Sequence, residues 1–276
     1  MKSIAIQCLY VSGFYGNGIN KLVINKCGKI IQKYCLITAL TMITLFLTTT
    51  PILFVNGQSL PYKLISPDSS AFDASYGDWI AKWWQWNVDI PLEGHPRDSF
   101  SPEKCSLNQN GSVWFLPDIL AGNEQRTCTI PTGTAVLIPI ITGACWNDGN
   151  PQFMSNEELR TCAMEGNDET FATVSINGTK IEDDSLKRAQ SPYFNLTISE
   201  NSWTRYNQDT SDRIFECKIC PIGTFKSMAD GYFLFLEPLV NGEYNVKISH
   251  DTLSNPNPEY RHAAVVTYQL IVKPPL

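Results

Sequence analysis

Residues 135–141 read AVLIPII, seven apolar positions without interruption. A run this short, rich in β-branched side chains, reads as a strand buried on both faces. Pro139 within it calls for an edge, a bulge or a bend, because proline cannot donate to a ladder. Outward from this run the same habit continues. Val113–Leu116, Thr127–Ile130, Ala172–Ile176, Thr179–Ile181, Phe194–Ser199, Tyr232–Leu236, Tyr244–Ser249 and Ala264–Val272 are short β-branched or aromatic stretches between turn signals. Asn177-Gly178 predicts a type I′ hairpin, and Asn241-Gly242 separates two later strands. Tyr244, Val246 and Ile248 alternate with Asn245, Lys247 and Ser249, as antiparallel sheet does with one face in water.

Upstream the period changes. Residues 76–90, YGDWIAKWWQWNVDI, hold four of the seven tryptophans. Ser75 and Asp78 form a capping box, and Pro91 stops the pattern after Val88, so Ser75–Val88 is predicted as a helix. Trp79, Trp83 and Trp86 share a stripe that Tyr76, Ile80 and Trp84 widen, with Trp84 at its partly exposed margin. Asp78, Lys82 and Gln85 face away. Burying four indoles removes much apolar area from water, at about 25 cal/mol per Å². Core packing is therefore the first reading of the stripe. A sugar-stacking platform and a partner or membrane contact are the alternatives, with Trp84, Trp86 and Trp114 as candidate ligand contacts. Glu157–Met164 suggests a second, short helix. One helix and eight or nine strands predict a mainly β fold: an antiparallel two-sheet sandwich, jelly-roll-like, with the N-terminal Trp-rich helix packed on it.

Charge divides the chain in two. Residues 1–57 carry five lysines and no Arg, Asp or Glu, and Leu36–Val55 is mostly apolar or Thr. Basic residues, an apolar run and then small residues make an export signal, with Val55 and Gly57 suited to the cleavage site. The rival is an uncleaved N-terminal transmembrane anchor over residues 36–55, which six threonines and Pro51 weaken. Either way residues 58–276 are expected outside the membrane, extracellular or at the cell surface. All 27 acids and 16 of the 21 basic residues lie in 58–276, leaving that part at net charge −11. Nucleic acid and anionic membranes repel such a domain. At 219 residues it is long enough for one sizeable core.

Cys8, Cys27 and Cys35 fall in the leader. Cys105, Cys128, Cys145, Cys162, Cys217 and Cys220 remain, an even set that an oxidising compartment would pair. Six cysteines allow fifteen pairings; Cys105 with Cys128 and Cys145 with Cys162 are the local solutions. A redox or zinc role for Cys217-Lys-Ile-Cys220 lacks a following helix and a second ligand pair. Asn110, Asn177 and Asn195 head N-glycosylation sequons.

The motifs YGDWIAKWWQW, GSVWFLPDI, RTCTIPTGTAVLIPII and GYFLFLEPLVNGEYNVKIS, in that order, resemble a group of uncharacterised exported proteins of bacteria and ammonia-oxidising archaea. The resemblance covers roughly residues 72–273 and carries no catalytic residues. The Ile-, Asn- and Thr-rich leader suits an archaeal member.

His95, His250 and His262 are the only histidines. His95 sits among Glu93, Arg97 and Asp98, and strands could bring His250 and His262 together, but no metal motif joins them. His95, His250 and His262 stand as candidate binding residues, with no metal site expected from them. The oxygen-rich loops 146–150 and 165–169 are Ca²⁺ candidates without EF-hand spacing. No nucleophile elbow, P-loop or dinucleotide fingerprint is present. These features favour an exported, non-enzymatic binding or structural module with a glycan, envelope component or protein as ligand. The alternative is an extracellular hydrolase or metal-dependent enzyme on the same scaffold.

Overall fold

The computed structural model describes residues 62–275 apart from 92, 98–99, 119–121, 150–151, 169, 183–184, 203, 205–221, 256–260 and 262. The leader, Cys217, Cys220 and His262 therefore lie outside the described residues. Among those described, no helix is long and apolar enough to cross a membrane.

A small hairpin, β1 (Ser70–Ala71) and β2 (Ala74–Ser75), leads into helix α1 (Tyr76–Asp89). Both halves of the expected capping box form: the Ser75 side chain accepts from the Asp78 N–H, and Asp78 accepts from the Ser75 N–H. Ile90 adopts extended geometry and ends the helix.

The first sheet contains β3 (Val113–Phe115), β5 (Ala135–Trp146), β10 (Gly223–Leu236) and β8 (Arg188–Gln190), in that order, with β9 (Phe194–Ile198) also paired to β10. The second runs β4 (Gly122–Pro131), β12 (Ala263–Lys273), β11 (Gly242–Asp251), β6 (Phe171–Ile176) and β7 (Thr179–Lys180). The protein is mainly β, as expected, but its sheets are mixed rather than purely antiparallel. β3 runs parallel to β5, and β4 runs parallel to β12. Parallel neighbours need a connection that crosses back. Here β4 leaves for the second sheet between β3 and β5 and pairs with the last strand of the chain.

The run that opened the reading is covered on both faces. Val136, Ile138 and Ile140 join Leu234 and Leu236 in a core cluster with Ile130, Val174, Val246, Ile248, Val266 and Leu270 of the second sheet. Ala135 and Leu137, with Phe233 and Phe235, turn the other way and pack against Trp79, Ile80, Trp83, Trp84 and Trp86 of α1. Pro139 sits at a bulge: Tyr232 pairs with Ile141 and Phe233 with Pro139, so Ile140 is passed over. The extra residue lets proline stand in a central strand.

Helix α2 (Asn156–Glu165) has a second capping box, Ser155 with Glu158, and lies on β5 and β10. Among the described residues, two disulfides brace the fold. Cys105–Cys128 ties a 3₁₀ turn (Pro102–Ser106) to β4, and Cys145–Cys162 ties α2 to β5. Both are the local solutions among the fifteen pairings that the sequence left open. The Asn177-Gly178 turn between β6 and β7 has φ of 51° and 79°, as a type I′ turn requires.

Candidate functional site

The tryptophans of α1 are core residues. Exposure is 8% at Trp79, 0% at Trp83, 2% at Trp84 and 6% at Trp86. Each indole N–H has a partner: the carbonyls of Ala71 (2.8 Å), Leu116 (2.8 Å) and Leu107 (3.0 Å) for Trp79, Trp83 and Trp86, and Thr142 Oγ1 (3.1 Å) for Trp84. Trp84 is not at an exposed margin. The stripe is wide enough that Trp83 and Trp84 meet edge-to-face at 5.3 Å, and β5 supplies Trp84's acceptor. A stacking platform needs rings that reach water, and neither Trp84 nor Trp86 offers one. Trp114, on edge strand β3, is half-buried and packs against the core between the sheets, its Nε1 without a hydrogen-bond partner.

His95 is buried and latches the end of α1. Its Nε2 lies 3.2 Å from the Asn87 carbonyl, and its Nδ1 accepts from the Arg97 N–H at 3.2 Å. These partners fit one neutral tautomer, protonated on Nε2. His250 points inward from β11, between Ala172 and Ala264, and is buried. The two imidazoles serve separate elements. Among the described residues no three His, Cys, Asp or Glu groups converge as a metal site. In the Ca²⁺-candidate loops, Asn147 directs both side-chain polar atoms to the Met154 backbone and Asp168 binds Arg188, while residues 150 and 169 lie outside the described residues.

Sequence reasoning missed the main polar cluster. Arg188 donates from Nε to Asp230, from Nη1 to Asp168 (2.7 Å) and from Nη2 to the Met164 carbonyl (2.6 Å). Asn167 Nδ2 donates to the Asp230 carbonyl at 2.9 Å. Asp230 is completely buried, and burial raises its carboxyl pKa despite the opposing pull of Arg188. Gly143 lets α2 approach β5 here: a Cβ would stand 3.0 Å from the Ala163 carbonyl. The cluster joins residues up to 66 positions apart, from Met164 to Asp230, so no local motif announces it. A second buried cation, Arg126, binds Glu124 (2.7 Å), the Asp118 carbonyl (2.9 Å) and the Tyr268 hydroxyl (3.1 Å). Burial pushes the Tyr268 hydroxyl up to about 12. Both clusters brace structure by holding chain segments to the sheets.

One accessible concave feature among the described residues lies at the start of β6. A groove of about 410 Å³ is lined by Phe171, Ala172, Leu186, Tyr232, Ser249 and Asp251, among others. Phe171 is 60% exposed and pairs across the ladder with Asp251. Leu253, 59% exposed, follows two residues later, and its N–H reaches Asp251 Oδ1 at 3.4 Å. Phe171 precedes the strand as the sequence delimits it, and its apolar side chain at a strand start was the available signal. The sequon residues Asn110, Asn177 and Asn195 are all exposed.

These features define a class: a disulfide-braced, mainly β protein whose tryptophan helix is structural and whose groove lies at a sheet edge. No protein-family model and no curated protein matches the chain. Among solved structures it is similar to PbICP-C in complex with falcipain-2, at 10% identity and TM-score 0.22, covering 59% of this chain and 100% of that one. Amebosin follows at 12% identity and TM-score 0.19, over 55% and 96% of the two chains. The cysteine protease inhibitor EhICP2 from Entamoeba histolytica stands at 11% and 0.20, over 58% and 96%. Likeness this slight carries no functional argument.

Proposed function

We propose that this chain is an exported, non-enzymatic binding module at the cell surface, built on a two-sheet sandwich with α1 packed on one outer face. The observation that carries the reading is the division of its side chains. Groups with chemical potential, such as His95, Arg126, Arg188 and Asp230, are drawn into structural contacts, while Phe171 and Leu253 stand in water beside the groove. Exposed apolar side chains next to a concavity mark recognition surfaces. The leader's basic-then-apolar order supports export, and two disulfides suit an oxidising compartment. The resemblance to exported proteins of bacteria and ammonia-oxidising archaea agrees with this placement.

A protein is the ligand favoured over a glycan, because the aromatic rings of α1 are inside the core and unavailable for stacking on sugars. The test uses the full chain purified from an exporting host. It is offered displayed peptides, soluble envelope polysaccharide, and chromogenic ester, glycoside and peptide substrates. Saturable binding without turnover supports the module. Saturable turnover of any of these substrates that co-purifies with the folded chain would make the protein a hydrolase and overturn it.

A further inference from the structure

Residues 58–276 contain three Asn-Gly pairs: Asn110-Gly111, Asn177-Gly178 and Asn241-Gly242. An asparagine before glycine loses its amide without an enzyme, because glycine has no Cβ to hinder its nitrogen from reaching the Asn side chain. The reaction needs Asn Cγ to swing onto the following backbone nitrogen. A fold that holds the amide oxygen, or fixes the backbone in another rotation, slows it. The three pairs differ sharply on this criterion.

Asn177 is held twice. Its Oδ1 accepts from the Asn245 N–H at 2.8 Å, and its own N–H donates to the Asn245 carbonyl at 2.8 Å. It is also the first corner of the type I′ turn, with φ of 51°, and closing a ring onto the Gly178 nitrogen needs a different backbone rotation. The Asn241 amide oxygen accepts from the Thr132 hydroxyl, and Gly242 pairs with Val272 in β11. Asn110 has neither restraint. Its side chain is exposed and makes no hydrogen bond among the described residues. Gly111 is exposed, with φ of 81°, and a Cβ there would meet no atom within 4 Å. The chain on either side is anchored. Gln109 Nε2 donates to the Cys105 and Phe115 carbonyls at 3.2 and 2.7 Å, and its Oε1 accepts from the Phe115 N–H at 3.0 Å. The Ser112 carbonyl accepts from the Ala135 N–H at 3.0 Å. Asn110-Gly111 is thus a free tip on a clamped loop.

We infer that Asn110 is a self-modifying site, which the folded chain converts to aspartate and isoaspartate ahead of Asn177 and Asn241. The Gly111 nitrogen gives its proton to water and attacks Asn110 Cγ. The bond from Cγ to Nδ2 breaks and ammonia leaves, giving a succinimide. Water then opens the ring at either carbonyl. One product is aspartate. The other is isoaspartate, whose main chain runs through Cγ and is longer by the Cβ methylene just before β3. Either product adds a negative charge and removes the amide that the Asn110-Gly-Ser112 sequon offers to a glycan. Glycosylation and conversion therefore compete for the same amide nitrogen.

The experiment incubates the full oxidised chain, made in a host that adds no glycan, at mildly alkaline pH. Samples are read by peptide mapping, with electron-transfer fragmentation to distinguish isoaspartate. A parallel sample is reduced, alkylated and kept in guanidinium. In the folded chain Asn110 should convert about tenfold faster than Asn177 or Asn241, since one held hydrogen bond is worth roughly that factor. In the unfolded chain the three rates should converge. Thr132→Ala keeps the Thr132 backbone bond to the Lys273 carbonyl but frees the Asn241 amide, and should speed Asn241 several-fold. Asn177 or Asn241 keeping pace with Asn110 in the folded chain would overturn the inference. So would an Asn110 lead that persists in guanidinium, which would assign it to flanking residues rather than to the loop. An Asn241 rate unmoved by Thr132→Ala would also count against it, by removing the restraint on which the ranking rests.

Discussion

Replacing Trp83 by Phe separates a structural α1 from a ligand platform. Trp83 is fully buried, in contact with Trp84, Trp86 and Phe233, and its N–H donates to the Leu116 carbonyl at 2.8 Å. Phenylalanine keeps an aromatic ring there but removes the donor. A stranded buried acceptor costs about 1–3 kcal/mol. The missing part of the indole leaves a void, costed at about 24 cal/mol per Å³, which adds roughly 1 kcal/mol. The expected loss is therefore about 2–4 kcal/mol, against about 3–5 kcal/mol for Trp83→Ala. For a domain of this size each kcal/mol lowers Tm by roughly 2–4 °C, so Trp83→Phe should fall by roughly 5–15 °C. The assay is guanidinium and thermal unfolding under oxidising conditions, followed by far-UV circular dichroism. Trp84→Phe should cost less, because Thr142 keeps its own donation to the Asp230 carbonyl. A loss below about 0.5 kcal/mol at Trp83, the range of ordinary surface substitutions, would refute the buried-helix account.

Other outcomes follow from the same structure. Gly231→Ala should lower stability by about 3 kcal/mol or more in the same unfolding assay, because its Cβ would stand 2.4 Å from the Ile141 carbonyl oxygen and 2.6 Å from Thr142 Cα. Graded reduction with alkylation and mass mapping should label Cys145 and Cys162 before Cys105 and Cys128, since the first pair is half-buried and the second is 1% and 0% exposed. Arg188→Met should cost about 3–5 kcal/mol at neutral pH by leaving the Asp230 charge buried and unpaired. Asp230's folded pKa is raised, so its stabilising contribution is present at low pH and lost as pH rises through that value; the variant's deficit should shrink on acidification in a pH series of unfolding curves. In a glycosylating host, Asn177→Gln should remove one glycan from a deglycosylation gel shift, because Asn177 sits exposed at a hairpin tip.

What the sequence disclosed follows from how local each signal is. The capping box at Ser75, the Asn177-Gly178 turn, the doubly covered run at Ala135–Ile141 and the two short-range disulfides each arise within a few residues or one short loop. Local chemistry settles the first three, while the disulfides stood only as the local solutions among fifteen pairings until the structure showed them. Strand partners do not, and so the parallel pairs β3–β5 and β4–β12 came only from the structure. Strand β10 was legible from Tyr232 onward but begins at Gly223, where Lys226, Ser227, Asp230 and Gly231 hide the β pattern. Asp230 is polar in the sequence and buried in the fold because Arg188 and Asn167 reach it from α2's flank and β8. The groove was illegible for a similar reason. It needs Tyr232, Leu186 and Asp251 beside Phe171, and no sequence spacing joins them. His95 and His250 show the reverse case: they drew attention by chemical type, and burial gives them structural posts.

Hydroxyl-radical footprinting read by mass spectrometry tests the central division between hidden indoles and an exposed edge, residue by residue. Trp79, Trp83, Trp84 and Trp86 should resist oxidation in the native full chain while Phe171 and Leu253 are modified quickly. Rapid labelling of the four indoles with Phe171 and Leu253 protected would contradict the account.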